Sequence, residues 1–128
     1  MGNRGNTMGE DAVSEDVKVE IQEFGNIIVL VVSGDVHIGN TGQLEEVWDE
    51  QLLKKPRVIA IQGRDITFMD SSAIGTLVKF LNQAARIDLV LNFIDLNPSL
   101  LKIFVAAKLD KIFTLMSQEE FSSKYLAE

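Results

Sequence analysis

The sequence predicts a single α/β domain: a mostly parallel five-stranded sheet with an antiparallel hairpin at its N-terminal edge, covered by about four helices. Three observations carry this. Short apolar runs rich in β-branched residues alternate with longer stretches whose apolar residues recur at helical spacing. The first two runs are separated by little more than Gly25-Asn26, a turn pair, which makes them a hairpin. A chain of 128 residues is long enough for one core and too short for two ordinary domains.

Residues 1–16 contain Gly2, Gly5 and Gly9 among polar and acidic neighbours and are expected to be a mobile tail before a domain at 17–128. Gly2 is not read as a myristoylation site, because Asn6 stands where a hydroxyl residue is required. Val17, Val19 and Ile21 alternate with Lys18, Glu20 and Gln22, as in a strand with one wet face. Residues 27–33 are apolar on both faces and form the more central strand, which Gly34 is expected to end. Asn40 or Thr41 can cap a helix running to about Lys54, with Leu44, Val47, Trp48 and Leu52 inward, and Pro56 enforces its stop. Lys54, Lys55 and Arg57 then read as the basic end of that helix, complementing its dipole.

The third strand is expected at 57–62 and a helix at 72–86, with Ile74, Leu77, Val78, Leu81, Ala84 and Ala85 at helical spacing. Residues 88–94 form the next strand. Asn97-Pro98 starts a short amphipathic helix, asparagine capping and proline at the first helical position, with Leu100, Leu101, Phe104 and Val105 as its apolar residues. Residues 111–116 read as the last strand. Ser117 and Glu120 have capping-box spacing for a terminal helix anchored by Phe121, Tyr125 and Leu126.

Hydrophobic residues make up 46% and charged residues 24%, as in a globular protein. The longest apolar run, 27–32, is far short of a bilayer span, and the first sixteen residues have no apolar segment like that of a signal peptide. A membrane role is therefore not expected. With no cysteine there is no thiol chemistry, and a cytoplasmic location fits. A formal charge of −7 repels phosphate backbones, so nucleic acid is not an expected partner.

One stretch, 66–77, reads Ile-Thr-Phe-Met-Asp-Ser-Ser-Ala-Ile-Gly-Thr-Leu. The strand before it and the helix after it place Asp70-Ser71-Ser72 on the first helical turn. Unpaired N–H groups and a partial positive charge there suit a short oxygen side chain or an added phosphate. On pattern alone Ser71 is an N-cap, worth about 1 kcal/mol against alanine. Ser72 is the competing hydroxyl, placed to bond the local backbone. Gly75 reads as letting the helix approach the sheet closely, and Phe68 as core.

Phe68-Met69-Asp70-Ser71-Ser72, followed by a small residue, an aliphatic one and Gly75, resembles the signature of STAS domains, specifically the bacterial anti-sigma-factor antagonists. The resemblance covers roughly residues 17–126 and includes the element order above. It implies a STAS fold and a phosphorylated Ser71. The unmodified protein would bind an anti-sigma factor that is also a serine kinase of the histidine-kinase-like ATPase type, releasing its sigma factor. A metal-dependent serine phosphatase would reverse the modification. Partner contacts are implied from Asp35, His37, Ile38, Asn40 and Thr41 after the second strand, and from Phe68, Met69, Asp70, Ser72, Ala73 and Ile74 around the serine. The domain would be substrate and ligand, not an enzyme.

The chain departs from that pattern at four places. His37 stands where the resemblance implies an aspartate that helps orient the serine, changing charge and pH response. Ala73 replaces a glycine and stiffens the first turn. Gln62 replaces Asp or Asn at the end of the preceding strand, and Lys108 replaces a glycine before Leu109.

Other chemistries fit less well. Ser71, His37 and Asp35 are the residue types of a hydrolase, but the glycines two before and two after the nucleophile are absent, with Met69 and Ala73 there instead. A response-receiver domain with Asp70 as phosphoacceptor needs an acidic pair for magnesium, and Ser33-Gly34-Asp35 offers one carboxylate. One histidine and no cysteine leave no metal-ligand set, and no glycine-rich phosphate loop is present, so no metal and no cofactor are expected. The remaining alternative is a STAS scaffold or transporter-associated interaction module without a phosphorylation cycle.

Overall fold

Five strands form one sheet in the order β1-β2-β3-β4-β5. In this computed structural model, which describes residues 17–127, β1 (Lys18–Phe24) is antiparallel to β2 (Ile27–Val36). β3 (Val58–Met69), β4 (Val90–Ile94) and β5 (Thr114–Met116) follow in parallel. The expected tail, 1–16, lies outside the described residues. The parallel crossovers carry α1 (Thr41–Leu52), α2 (Ser71–Arg86) and α3 (Pro98–Ala106). The three crossovers step the same way across the sheet, and with the right hand that such connections take they put all three helices on one face, where their buried residues share one core. The other face is covered by α4 (Gln118–Phe121) and a π-helical turn, Ser122–Leu126.

The main core lies between the sheet and α1–α3. Trp48 of α1 is fully buried and stacks on Phe80 of α2, centroids 4.3 Å apart, while its Nε1 donates to Gln83 Oε1 at 2.9 Å. That satisfies the one polar atom the indole carries inside. Phe93 packs edge-on against Phe104 and Phe113 at 5.5 and 4.7 Å. A smaller core on the second face joins Ile27, Val29, Val58, Ala60 and Ile94 to Phe121. Among the described residues no helix is long and apolar enough to cross a membrane.

Several expected boundaries move, for identifiable reasons. Gly34 does not end β2: it sits at φ 98 beside a register shift, and the strand continues to Val36. β3 likewise runs to Met69, not to Gln62, because its extension pairs with that of β2 through Gly34↔Ile66, Asp35↔Phe68 and Val36↔Met69. Gly63 sits under side chains there: a Cβ would lie 2.7 Å from Leu96 Cδ2 and 3.1 Å from Leu100 Cδ2, so those leucines would have to shift. α1 stops at Leu52; Lys54 bonds Glu23 of β1 at 2.8 Å instead of facing the helix end, and Lys55 turns the chain at φ 53. β4 begins two residues late because Asp88 is left-handed at φ 57. β5 is short because 109–111 close a 3₁₀ turn. On α3 only Leu100 and Phe104 are fully buried, whereas Leu101 and Val105 are 41% and 54% exposed.

Candidate functional site

The extended ends of β2 and β3 bring the 35–41 loop against the start of α2. Asp70 is the N-cap of α2: its Oδ1 accepts the Ala73 N–H at 2.9 Å. The other carboxylate oxygen, Oδ2, accepts the Ile38 N–H at 3.0 Å, and the Asp70 N–H donates to the Val36 carbonyl at 3.2 Å. One side chain thus closes the first turn of a 16-residue helix and ties the β2–α1 loop to it. The Ala73 N–H first, then those of Ile38 and Ser72 and the His37 side chain, hold the Asp70 carboxyl below its ordinary value against a smaller opposing desolvation.

Asp70 therefore takes the capping role expected of Ser71. Ser71 occupies the first helical position and is exposed, so its hydroxyl is presented to solvent at the positive end of α2. Ser72 is half-buried and Ala73 is fully buried.

The loop is organised around Asn40 and His37. Asn40, 1% exposed, accepts the His37 N–H at 2.9 Å on Oδ1 and donates from Nδ2 to the Asp35 carbonyl at 2.8 Å. It precedes α1 as expected, yet its side chain makes no cap bond to that helix. The His37 carbonyl accepts from the Asn40 and Thr41 N–H groups at 2.9 and 3.0 Å, and its Nδ1 accepts the Gly39 N–H at 3.0 Å. Because the ring folds back this way, a Cβ on residue 39 would sit 2.8 Å from His37 Cε1, so any larger residue there would displace the ring. Ile38 is left at the tip, 74% exposed. The Asp35 carboxylate accepts a hydrogen bond from the Thr67 hydroxyl across the two strand extensions.

The structure gathers Asp35, His37, Ile38, Thr41, Phe68, Asp70, Ser71, Ser72 and Ile74 at one end of the sheet with at least partial exposure. It removes three expected contacts from that surface: Asn40, Met69 and Ala73 are buried, so they shape it from beneath. Phe68 and Met69, both implied as contacts, part ways. Phe68, read as core and also as an implied contact, is 51% exposed and Met69 only 3%, because a strand through the motif turns alternate side chains to opposite faces. Gly75 does not serve close helix–sheet approach, since nothing lies within 4 Å of its Cβ position. Thr67 and Gly39 escaped the sequence reading. Strand alternation extended past Gln62 would have flagged Thr67; Gly39 carries no signal without the ring that folds onto it.

A family model described as STAS domain matches residues 18–122. No match is found among curated proteins. Among solved structures, an anti-sigma factor antagonist from Mycobacterium paratuberculosis superposes with TM-score 0.77 at 15% identity, over 87% of this chain and 95% of that one. A candidate anti-sigma factor antagonist from Thermotoga maritima gives 0.77 at 18% identity, over 85% and 95%. The Bacillus cell fate determinant SpoIIAA in its phosphorylated form gives 0.65 at 15% identity, over 84% and 98%. At such identities the likeness is one of fold, a fold resembling that of anti-sigma factor antagonists.

Proposed function

The chain belongs to the STAS domain family, and from that premise we propose that it is an anti-sigma factor antagonist switched by phosphorylation of Ser71. The observation that carries the reading is an exposed hydroxyl at the first position of α2, beside an aspartate that already supplies the cap. Freed from capping, the serine can enter another protein's catalytic cleft without loss of the helix. In the unmodified protein, Ile38, tied through its N–H to Asp70, and Phe68, three residues before the serine, offer exposed apolar anchors. The partner is an anti-sigma factor with serine kinase activity of the histidine-kinase-like ATPase type, and the domain itself performs no chemistry.

A phosphate adds about −1.5 to −2 charges. Placed next to the ionised Asp70, that charge repels acidic groups and desolvates poorly against apolar ones, so the partner leaves without any refolding of the domain. A metal-dependent serine phosphatase restores the binding form. The whole cycle fits a cytoplasmic protein.

The test is mass spectrometry after incubation with ATP and the host's anti-sigma kinases, followed by a serine phosphatase. One phosphate on Ser71 that the phosphatase removes is expected. Ser71→Asp should weaken anti-sigma binding tenfold or more, about 1.4 kcal/mol, while Ser71→Ala keeps it. Equal affinities for both variants would sink the switch. Capture of a transporter subunit with no phosphate would favour the scaffold role instead.

A further inference from the structure

A second hydroxyl stands at the same end of the sheet, four residues before Ser71, and it has a partner of its own. Where the extension of β3 runs beside that of β2, Gly34 pairs with Ile66 and Asp35 with Phe68, so Thr67 is one residue too many on its strand. A bulge of this kind re-aims the side chain it carries. Thr67 is exposed, and its hydroxyl donates to Oδ1 of Asp35, which is exposed too. The Asp35 main chain is held from beneath, because its carbonyl accepts from Nδ2 of the buried Asn40 at 2.8 Å. The carboxylate is thus fixed against the hydroxyl from a separate strand.

Such a pair has a chemical use besides tying two strands together. A carboxylate that accepts a hydroxyl's hydrogen bond makes the oxygen a better nucleophile and can take the proton as a new bond forms. Thr67 also opens on a cleft of about 470 Å³, which Arg64, Asp65, Asn97 and Ser99 help to line. Arg64, exposed and paired with Asp95, is a charged donor suited to phosphoryl oxygens in that cleft. Phe68, the exposed anchor named above, lies between Thr67 and Ser71 along the chain. Four residues of extended backbone span at most about 13 Å. A kinase held at this end therefore has both hydroxyls close at hand.

We propose that Thr67 is a second phosphoacceptor of this domain, with the Asp35 carboxylate as the acceptor of its proton. The proposal rests on the reading of this end as a kinase-binding surface, and the transfer itself stays with the kinase. Thr67 Oγ1 bonds the terminal phosphorus of a nucleoside triphosphate that the kinase carries. The bond from that phosphorus to the bridging oxygen breaks, the nucleoside diphosphate leaves, and the hydroxyl proton passes to Asp35. The phosphothreonine no longer donates to Asp35 and sets about −1.5 to −2 charges beside it and Asp65. The tie between the two strand extensions is lost, and with it one support of the loop that carries Ile38.

The test is fragmentation mass spectrometry of the full chain after incubation with ATP and the host's anti-sigma kinases. In Ser71→Ala a phosphate on Thr67 is expected, and adding the isosteric Thr67→Val should remove it. Asp35→Asn can still accept the hydroxyl's hydrogen bond but is a far weaker base. With Ser71 intact, it should cut the phosphate on Thr67 relative to that on Ser71 about tenfold or more, the serine serving as internal control for docking. Ser71→Ala that stays unmodified, or is modified on Ser72, while the wild type takes a phosphate on Ser71 overturns the second acceptor and leaves the proposed function standing. No phosphate on either protein overturns both. A ratio of Thr67 to Ser71 phosphate that Asp35→Asn leaves unchanged overturns the role of Asp35.

Discussion

α2 and α3 begin in nearly the same way and end up with different work. Each follows a parallel strand, and each is capped by an Asx side chain accepting the N–H three residues on: Asp70 from Ala73 at 2.9 Å, Asn97 from Leu100 at 2.8 Å. At α3 the second polar atom turns inward. Asn97 Nδ2 donates to the Ile66 and Arg64 carbonyls at 2.7 and 3.0 Å, with Gly63 at 3.4 Å, and the next residue is proline. At α2 the second oxygen carries charge to the loop, and the next residue is an exposed serine. The same local motif becomes a rivet where its donors are consumed by backbone and a presentation site where a hydroxyl is left over.

The comparison can be broken most strongly at the rivet. Asn97→Ala removes a cap and the donor to the irregular end of β3, and is expected to cost about 2 kcal/mol in urea or thermal unfolding, a fall of roughly 8 °C in Tm. No change would mean that the two caps are interchangeable. Phe68→Ala should show the opposite profile: stability within about 0.5 kcal/mol of wild type because the ring is exposed, with anti-sigma affinity reduced more than tenfold, about 1.5 kcal/mol. Calorimetric titration beside an unfolding curve separates the two.

Acid distinguishes the caps as well. Asp70 and Asp95 both titrate below their ordinary value in the folded state, Asp70 through the N–H groups it accepts, Asp95 through Arg64 and then the Gln118 N–H. Their contribution is therefore present above the unfolded carboxylate value, about 3.9, and is lost as pH falls through the depressed folded values. Asp70→Asn should flatten the acid limb of the stability curve, while Asn97→Ala lowers the curve at every pH and keeps its slope. The smallest effect is expected where the two helices end. Each exit passes through a left-handed residue that is not glycine, Asp88 at φ 57 and Lys108 at φ 62. Lysine tolerates that region less well than aspartate, so Lys108→Gly should stabilise by up to about 1 kcal/mol and Asp88→Gly by less.

The αL geometry of Lys108 also accounts for the glycine that the resemblance implies at this position. It was legible in the sequence as a departure and only in the structure as a conformation. The start of α3 was legible in full, with Asn97 as its cap and Pro98 at its first position, and so was the capping box of Ser117 and Glu120, whereas α2 begins one residue earlier than expected because Asp70, not Ser71, is its cap. What the sequence misplaced were the strand ends: nothing in Gly63-Arg64-Asp65 reads as strand until the extension of β2 is beside it.

The caps of α3 and α4, the turns and the apolar periodicities were determined by the sequence alone, because each is an interaction among residues three or four apart and needs no distant partner. The site depended on contacts some thirty residues apart in sequence, Ile38 with Asp70 and Asp35 with Thr67. Only the parallel pairing of β2 with β3 could decide that Phe68 faces solvent, that Asn40 supports the loop from inside, and that Asp70 also holds Ile38, because a strand's register is chosen by the strand beside it.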